Sequence, residues 1–259
     1  MTAPTVTYER GILNGTTEEP KQGVYEESAT QQYELGTRMA MPDGRAYRYA
    51  QAGAVALVAG NLLQSAVLSG ATTTAQTDLA IATSAVVGDE FAYATIATTA
   101  QSADAFRDGW YVVTQTTAAN GRGTFYPIAS HGALTVASNK IPLKEKIRVA
   151  TVAGTSLARL VANPYKKVIQ APVTTVTGMV VGVAPMAVTA SYFCWIQTWG
   201  PANVLVKTAV TIGTAVVRDV ILAGAVASFD GALINEAVGY ALTEVPTTDD
   251  GMIFLQIAP

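Results

Sequence analysis

The chain has 259 residues, of which 50% are hydrophobic and only 14% charged, with a formal net charge of −3 and a mean hydropathy of +0.29. An ordinary globular protein is about 25% charged, so this surface offers no basic field to nucleic acid and must be covered to an unusual extent by a membrane or by partners. The membrane option fails. Residues 49–77 and 168–206 carry no Asp, Glu, Lys or Arg, but Pro172, Gly178, Gly182, Pro185 and Gly200 interrupt the longer stretch. No continuous apolar block of the roughly 20 residues that span a bilayer is left in it.

The N-terminus lacks the basic and apolar regions of a secretory signal, and the single Cys194 forms no internal disulfide framework. Together these predict folding in a reducing cytosol. Residues 1–34 differ from the rest, with Glu9, Arg10, Glu18, Glu19, Lys21, Glu26 and Glu27 set among Thr, Gly and Gln. Such a stretch cannot bury enough apolar surface to fold alone. It reads as an extended arm, either free or ordered by a partner whose basic groups would meet Glu18, Glu19, Glu26 and Glu27.

Beyond the arm, the signals are those of strands and turns. Met39-Ala40-Met41 and Ala46-Tyr47-Arg48-Tyr49 flank Pro42-Asp43-Gly44-Arg45, a hairpin signature in which proline presets φ and glycine supplies positive φ. Arg45, Tyr47 and Tyr49 share one face of the outgoing strand, and Ala46, Arg48 and Ala50 the other. Further strands are predicted over residues 54–59, 110–114, 124–128, 146–152, 191–198, 204–212, 216–222 and 252–257. Residues 103–107, 157–162 and 232–236 are the candidates for a helical turn or two, and none sustains the helical period over three turns. The fold class is therefore mostly β, with β-sandwich or barrel-like domains. Asn163-Pro164 and Pro172 punctuate the chain, predicting one β-rich domain over residues 35–171 and a second over 172–259.

Residues for chemistry are sparse. His131, the only histidine, stands beside Ser130 but lacks a nucleophile elbow elsewhere in the chain, and reads as a loop residue. Cys194 lies in an uncharged strand, where a small buried hydrophobe is expected. One His and one Cys do not make a zinc site. Asp249-Asp250-Gly251 lacks the spaced oxygens of a calcium loop and reads as a tight turn. Asn120-Gly121-Arg122-Gly123 precedes a strand rather than a helix, so it reads as a hairpin loop and not as a phosphate cradle. No catalytic residue, cofactor or metal is assigned.

The most distinctive stretch is Tyr192-Phe193-Cys194-Trp195-Ile196-Gln197-Thr198-Trp199. Aromatic residues on both faces of one strand imply cover on both. One face belongs to a core. Tyr192, Trp195 and Trp199 are accordingly candidates for an interface with a neighbouring domain or subunit, or for a carbohydrate platform.

The runs Tyr33-Glu34-Leu35-Gly36-Thr37-Arg38, Pro42-Asp43-Gly44-Arg45-Ala46-Tyr47-Arg48-Tyr49, Ala52-Gly53-Ala54 and Leu57-Val58-Ala59-Gly60 resemble the N-terminal region of tailed-bacteriophage virion proteins. In the second half, Trp195-Ile196-Gln197-Thr198-Trp199-Gly200-Pro201-Ala202 and Val238-Gly239-Tyr240-Ala241-Leu242 continue the likeness, which is closest to capsid decoration (cement) proteins. The resemblance rests on structural punctuation and brings no active-site residues. It implies a non-enzymatic protein on the capsid surface of a virion, assembled in the host cytoplasm, whose partners are itself, as a dimer or trimer, and the major capsid protein. Another virion part, such as a head–tail, tail or major capsid protein, and a carbohydrate-binding β-sandwich protein are the alternatives.

Overall fold

The structure is a computed structural model that describes residues 12–13, 20–66, 75–96, 99–115, 122–173, 177–229, 231 and 236–259, and none of these is helical. The expected mostly-β class holds, with barrel-like closure. Two compact units form, one from Met1–Ala66 with Pro164–Pro259 and one from Val67–Asn163.

In the first unit, β1 (Ile12–Leu13), β2 (Arg38–Ala40), β3 (Ala46–Gln51) and β4 (Leu62–Gln64) precede the second unit. The second unit holds β5 (Ala75–Ala80), β6 (Phe91–Thr95), β7 (Trp110–Gln115), β8 (Phe125–Pro127), β9 (Ser138–Pro142) and β10 (Ser156–Val161). The chain then returns through β11 (Ile169–Gln170), β12 (Val180–Val183), β13 (Phe193–Val206), β14 (Ala215–Arg218), β15 (Val226–Ser228), β16 (Ala237–Ala241) and β17 (Asp249–Gln256). Asn163-Pro164 marks a real boundary. Pro172 does not, and the expected division into 35–171 and 172–259 is replaced by an insertion. The reason is pairing: β11 lies against β4, with Ile169 opposite Gln64, and Val168 and Ala171 join the cores of Leu63 and Leu62.

The fourteen residues of β13 organise the first unit. Its C-terminal half closes a five-strand barrel through the order β13–β15–β14–β16–β17 and back to β13. Ala202, Val204, Val206, Val216, Val226, Val238, Ile253 and Leu255 fill the interior, as small barrels require. Its N-terminal half instead pairs with β3 and β12. A second ring also closes there, because Ala52 bridges Val168 beside β11, β11 pairs β4, and β4 pairs β12. Ala50, Leu63, Val168, Val181, Cys194 and Ile196 make its core. The switch between the two bodies is a register shift between Gln197 and Trp199, followed by Gly200 at φ +84°, where a Cβ would lie 3.1 Å from the Cα of Arg45. Only glycine meets both demands without strain.

The opposite face of β3 and β13 carries Tyr47, Tyr49 and Trp195, and it is covered by Val24, Leu35, Met39 and Met41. The extended arm expected over residues 1–34 is therefore corrected from residue 20 onward. Trp195 Nε1–H donates to the Gln22 carbonyl at 3.0 Å, and the Tyr49 hydroxyl to Gln22 Oε1 at 2.9 Å. Ser28 and Phe193 exchange backbone hydrogen bonds at 2.9 and 2.8 Å. Buried indole and phenol groups need partners, and this polar segment supplies them.

In the second unit, β5, β10, β7 and β8 form an antiparallel sheet and β6 pairs with β9. Tyr111, Val113, Tyr126, Ala158 and Leu160 pack inward with Phe106, Ala92 and Ile141. Residues 157–162, considered for a helical turn, are mostly strand, because β10 lies between β5 and β7 and alternates buried with half-buried positions. Residues 103–107 form turns, and 146–152, predicted as strand, pair with no neighbour as a named strand. The 232–236 expectation falls on residues outside the described set, apart from Glu236.

Candidate functional site

The described acidic and aromatic residues singled out in the sequence make contacts within their own chain. Glu18 and Glu19 lie outside the described residues. One Glu26 carboxylate oxygen accepts the Gly23 N–H at 2.8 Å. Glu27 accepts both the N–H and the hydroxyl of Thr189, at 2.6 and 2.8 Å. These two carboxylates thus hold their own chain together. Trp195 is fully buried. Tyr192 packs on the ring core beneath the other face of β13, and Trp199, beyond the register shift, meets Phe254 edge-on at 5.9 Å. A platform of Tyr192, Trp195 and Trp199 does not exist, because the strand alternates and then bends between them.

His131, Ser130 and Asp104 do come together, in a structural turn. Asp104, at φ 57°, accepts from the Ser130 hydroxyl at 2.9 Å and the His131 N–H at 2.8 Å. Burial alone would raise its carboxyl, yet these hydrogen bonds and Arg107 hold it below the usual aspartate range. His131 Nε2 accepts the Phe106 N–H at 3.0 Å, which leaves the Nδ1 hydrogen for the Gly132 carbonyl at 2.7 Å. Both ring nitrogens are committed to backbone groups, and Ser130 bonds to the carboxylate rather than to the ring. Cys194 is buried, and burial pushes its thiol up to about 12, far from thiolate chemistry. Asp249-Asp250-Gly251 begins β17 instead of forming the expected turn, and Gly251 faces inward, where a Cβ would meet Val245 Cγ2 at 2.0 Å. Residues 120–121 of the hairpin loop lie outside the described set.

Two surface features stand out instead. The first is the outer face of the β5–β10–β7–β8 sheet. Between the buried Tyr111, Val113 and Tyr126, the strands turn Trp110, Val112 and Phe125 outward, and Val161 stands opposite Trp110. These four line a shallow groove of about 450 Å³, and Phe125 is 54% exposed. Arg159 lies opposite Val112 on the same face. A sheet apolar on both sides is ordinarily covered on both.

The second feature is a cleft of about 290 Å³ at the bend of β13, in the first unit, lined by Tyr25, Arg45, Gly60, Gln197, Asn203 and Asp250 among others. Arg45 is held rigidly: Nε donates to Asp43 at 2.7 Å and one terminal nitrogen to the Tyr47 hydroxyl at 2.9 Å. That hydroxyl lies 3.4 Å from Gln197 Oε1, and the Gln197 amide in turn donates to the Trp199 and Pro201 carbonyls. Burial pushes the Tyr47 phenol up to about 12 against the opposing pull of the Arg45 charge. Asp43 stays below its ordinary range because the Arg45 hydrogen bonds outweigh its own desolvation. The sequence placed Arg45 in a turn and on one strand face with Tyr47 and Tyr49, and no spacing could have joined it to Asn203 and Asp250. No family model, curated protein or solved structure matches the chain.

Proposed function

We propose that the chain is a structural protein of a tailed-phage virion, a decoration (cement) protein that binds the capsid surface and stabilises it by protein–protein contact. Its partners on this reading are copies of itself and the major capsid protein, and it works by contact rather than catalysis. One observation carries the proposal: Trp110, Val112, Phe125 and Val161 form an open apolar sheet face with Arg159 beside them. Aromatic residues and arginine in an apolar setting are the composition of interface cores. The same economy of charge recurs elsewhere, with Val55, Val86, Val87, Ile212 and Ile221 between 59% and 73% exposed.

Co-sedimentation of the full chain with capsids that lack it tests the proposal. Trp110→Asp and Phe125→Asp, both at outward positions, should each weaken binding about 30-fold, the worth of a hot-spot side chain, while the circular dichroism spectrum stays that of the parent. Undiminished binding would remove this face from the proposal. Failure of the parent chain to sediment with capsids would sink the function itself.

A further inference from the structure

We propose that the cleft at the bend of β13 binds a neutral saccharide of one or two rings. Its position is set by the fold. Loop residues 59–60, the β3 hairpin, β13 and β17 come together where β13 leaves one body for the other, with Leu205 N–H donating to the Gly60 carbonyl at 3.0 Å and Gly60 N–H to Ala184 at 2.9 Å. A volume of about 290 Å³ lies at the lower end of small-ligand pockets, roughly 300–1,000 Å³.

The ligand class follows from charge and hydrogen-bond capacity. Arg45 and Asp250 are the charged residues of the lining, one of each sign, and Asp43 offsets the guanidinium from behind. An anion would approach Asp250 and Asp43, and a cation would approach Arg45, so a neutral ligand is favoured over either. Sugar hydroxyls both donate and accept. They can therefore give a hydrogen to Asp250 and take one from Arg45, whose Nε and one terminal nitrogen are already aimed by Asp43 and Tyr47. Among the described residues, the Asn203 amide and the Asp250 carboxylate carry no hydrogen bond from another side chain. Asp250 Oδ1 lies 3.7 Å from where a Gly60 Cβ would stand, so glycine there keeps that end open. Tyr25, 49% exposed at the rim, offers a ring against which the C–H face of a sugar can rest. The occupant is a free disaccharide or the end of a surface polysaccharide, which share this chemistry.

Saturation-transfer NMR on the full chain tests the assignment, with lactose, maltose, cellobiose and diacetylchitobiose as neutral probes and glucuronic acid and a trialanine peptide as contrasts. A neutral disaccharide should bind, and Tyr25→Ala, Asn203→Ala and Asp250→Ala should each weaken it about tenfold, the worth of one good polar or stacking contact. Trp110→Asp, on the other unit, should leave it unchanged, which keeps this result separate from capsid binding. If a probe binds, pull-down on the matching insoluble polysaccharide distinguishes a chain end from a free sugar. No neutral probe bound, binding only of the acid or the peptide, or binding indifferent to all three cleft variants would each overturn the proposal.

Discussion

Trp195 and Gln22 stand 173 positions apart, and the indole N–H of one meets the backbone carbonyl of the other at 3.0 Å in a fully buried setting. The Gln22 side chain adds three bonds of its own, accepting from the Tyr49 hydroxyl and donating to the Glu26 and Phe193 carbonyls. Residues 20–28 therefore complete the core.

Gln22→Ala should destabilise the chain by about 1–3 kcal/mol, because it leaves the buried Tyr49 hydroxyl without its acceptor. Deletion of residues 1–28 should cost more, since Trp195 then loses both its hydrogen bond and its cover. Urea melts followed by tryptophan fluorescence measure both. A deletion variant as stable as the parent would return this segment to the status of a free arm.

Excision of residues 67–163, with a short Gly-Ser bridge in their place, should leave the first unit folded. The cut ends lie on neighbouring strands, Gln64 opposite Ile169, and a short loop costs little to close. Within the excised piece Ala75 stands opposite Val161, so that segment should fold alone as well. Dispersed amide spectra from each piece are the expected result, and a collapsed spectrum from either would show that it depends on the other.

Stability should fall as pH rises from about 9 toward 12. Burial pushes Cys194 from 9.0, and Tyr47 and Tyr49 from 10.0, to about 12. The native state therefore keeps protons that the unfolded chain releases, so the slope of stability against pH is negative in that window. Stability from these groups is complete below the unfolded values and disappears as pH passes the folded ones. Native Cys194 should likewise resist a thiol reagent at pH 8 and react on unfolding. Rapid labelling of the folded chain would contradict its burial.

Gly200→Ala should cost more than Gly44→Ala. Both sites have positive φ, +84° and +87°, and share a dihedral strain of about 1–2 kcal/mol. At Gly44 nothing lies within 4 Å of the added carbon, whereas at Gly200 it meets the Arg45 backbone at 3.1 Å. Equal losses in a thermal melt would mean that the β13 bend can yield.

Local chemistry was legible in the sequence, and long-range closure was not. Pro42-Asp43-Gly44 did form the turn between β2 and β3, with Tyr47 and Tyr49 on one face and Ala50 on the other. The two-faced burial of the 193–199 strand was also readable from its aromatics. Gly200-Pro201, by contrast, reads as a stop. The strand continues through it because β17 takes over the pairing, with Pro201 opposite Phe254, and no local pattern announces a change of partner. The alternation in 146–152 failed for a different reason, since its backbone bonds go to the turn at residues 85–89, Ile147 with Gly88 and Asp89 and Thr151 with Ala85, rather than to a strand. The insertion was hidden because Asn163-Pro164 and Pro172 punctuate equally well, and only the β4–β11 ladder distinguishes them. The cleft was beyond reach, for its lining comes from segments scattered between Tyr25 and Met252.

The single strand β13 also fixes an order of events during synthesis. The second unit is complete once Asn163 has emerged, so it can fold while the rest of the chain is still being made. The ring that contains β3 must wait for residues 193–199, and the barrel must wait for β17 at the far end. Until then Tyr47 and Tyr49 have no covering strand, and the first fifth of the chain is held back as an unfinished edge. Ribosome-stalled chains ending near residue 200 should accordingly carry a protease-resistant second unit and a protease-sensitive N-terminal segment, with protection of that segment arriving once residues 193–199 have left the ribosome.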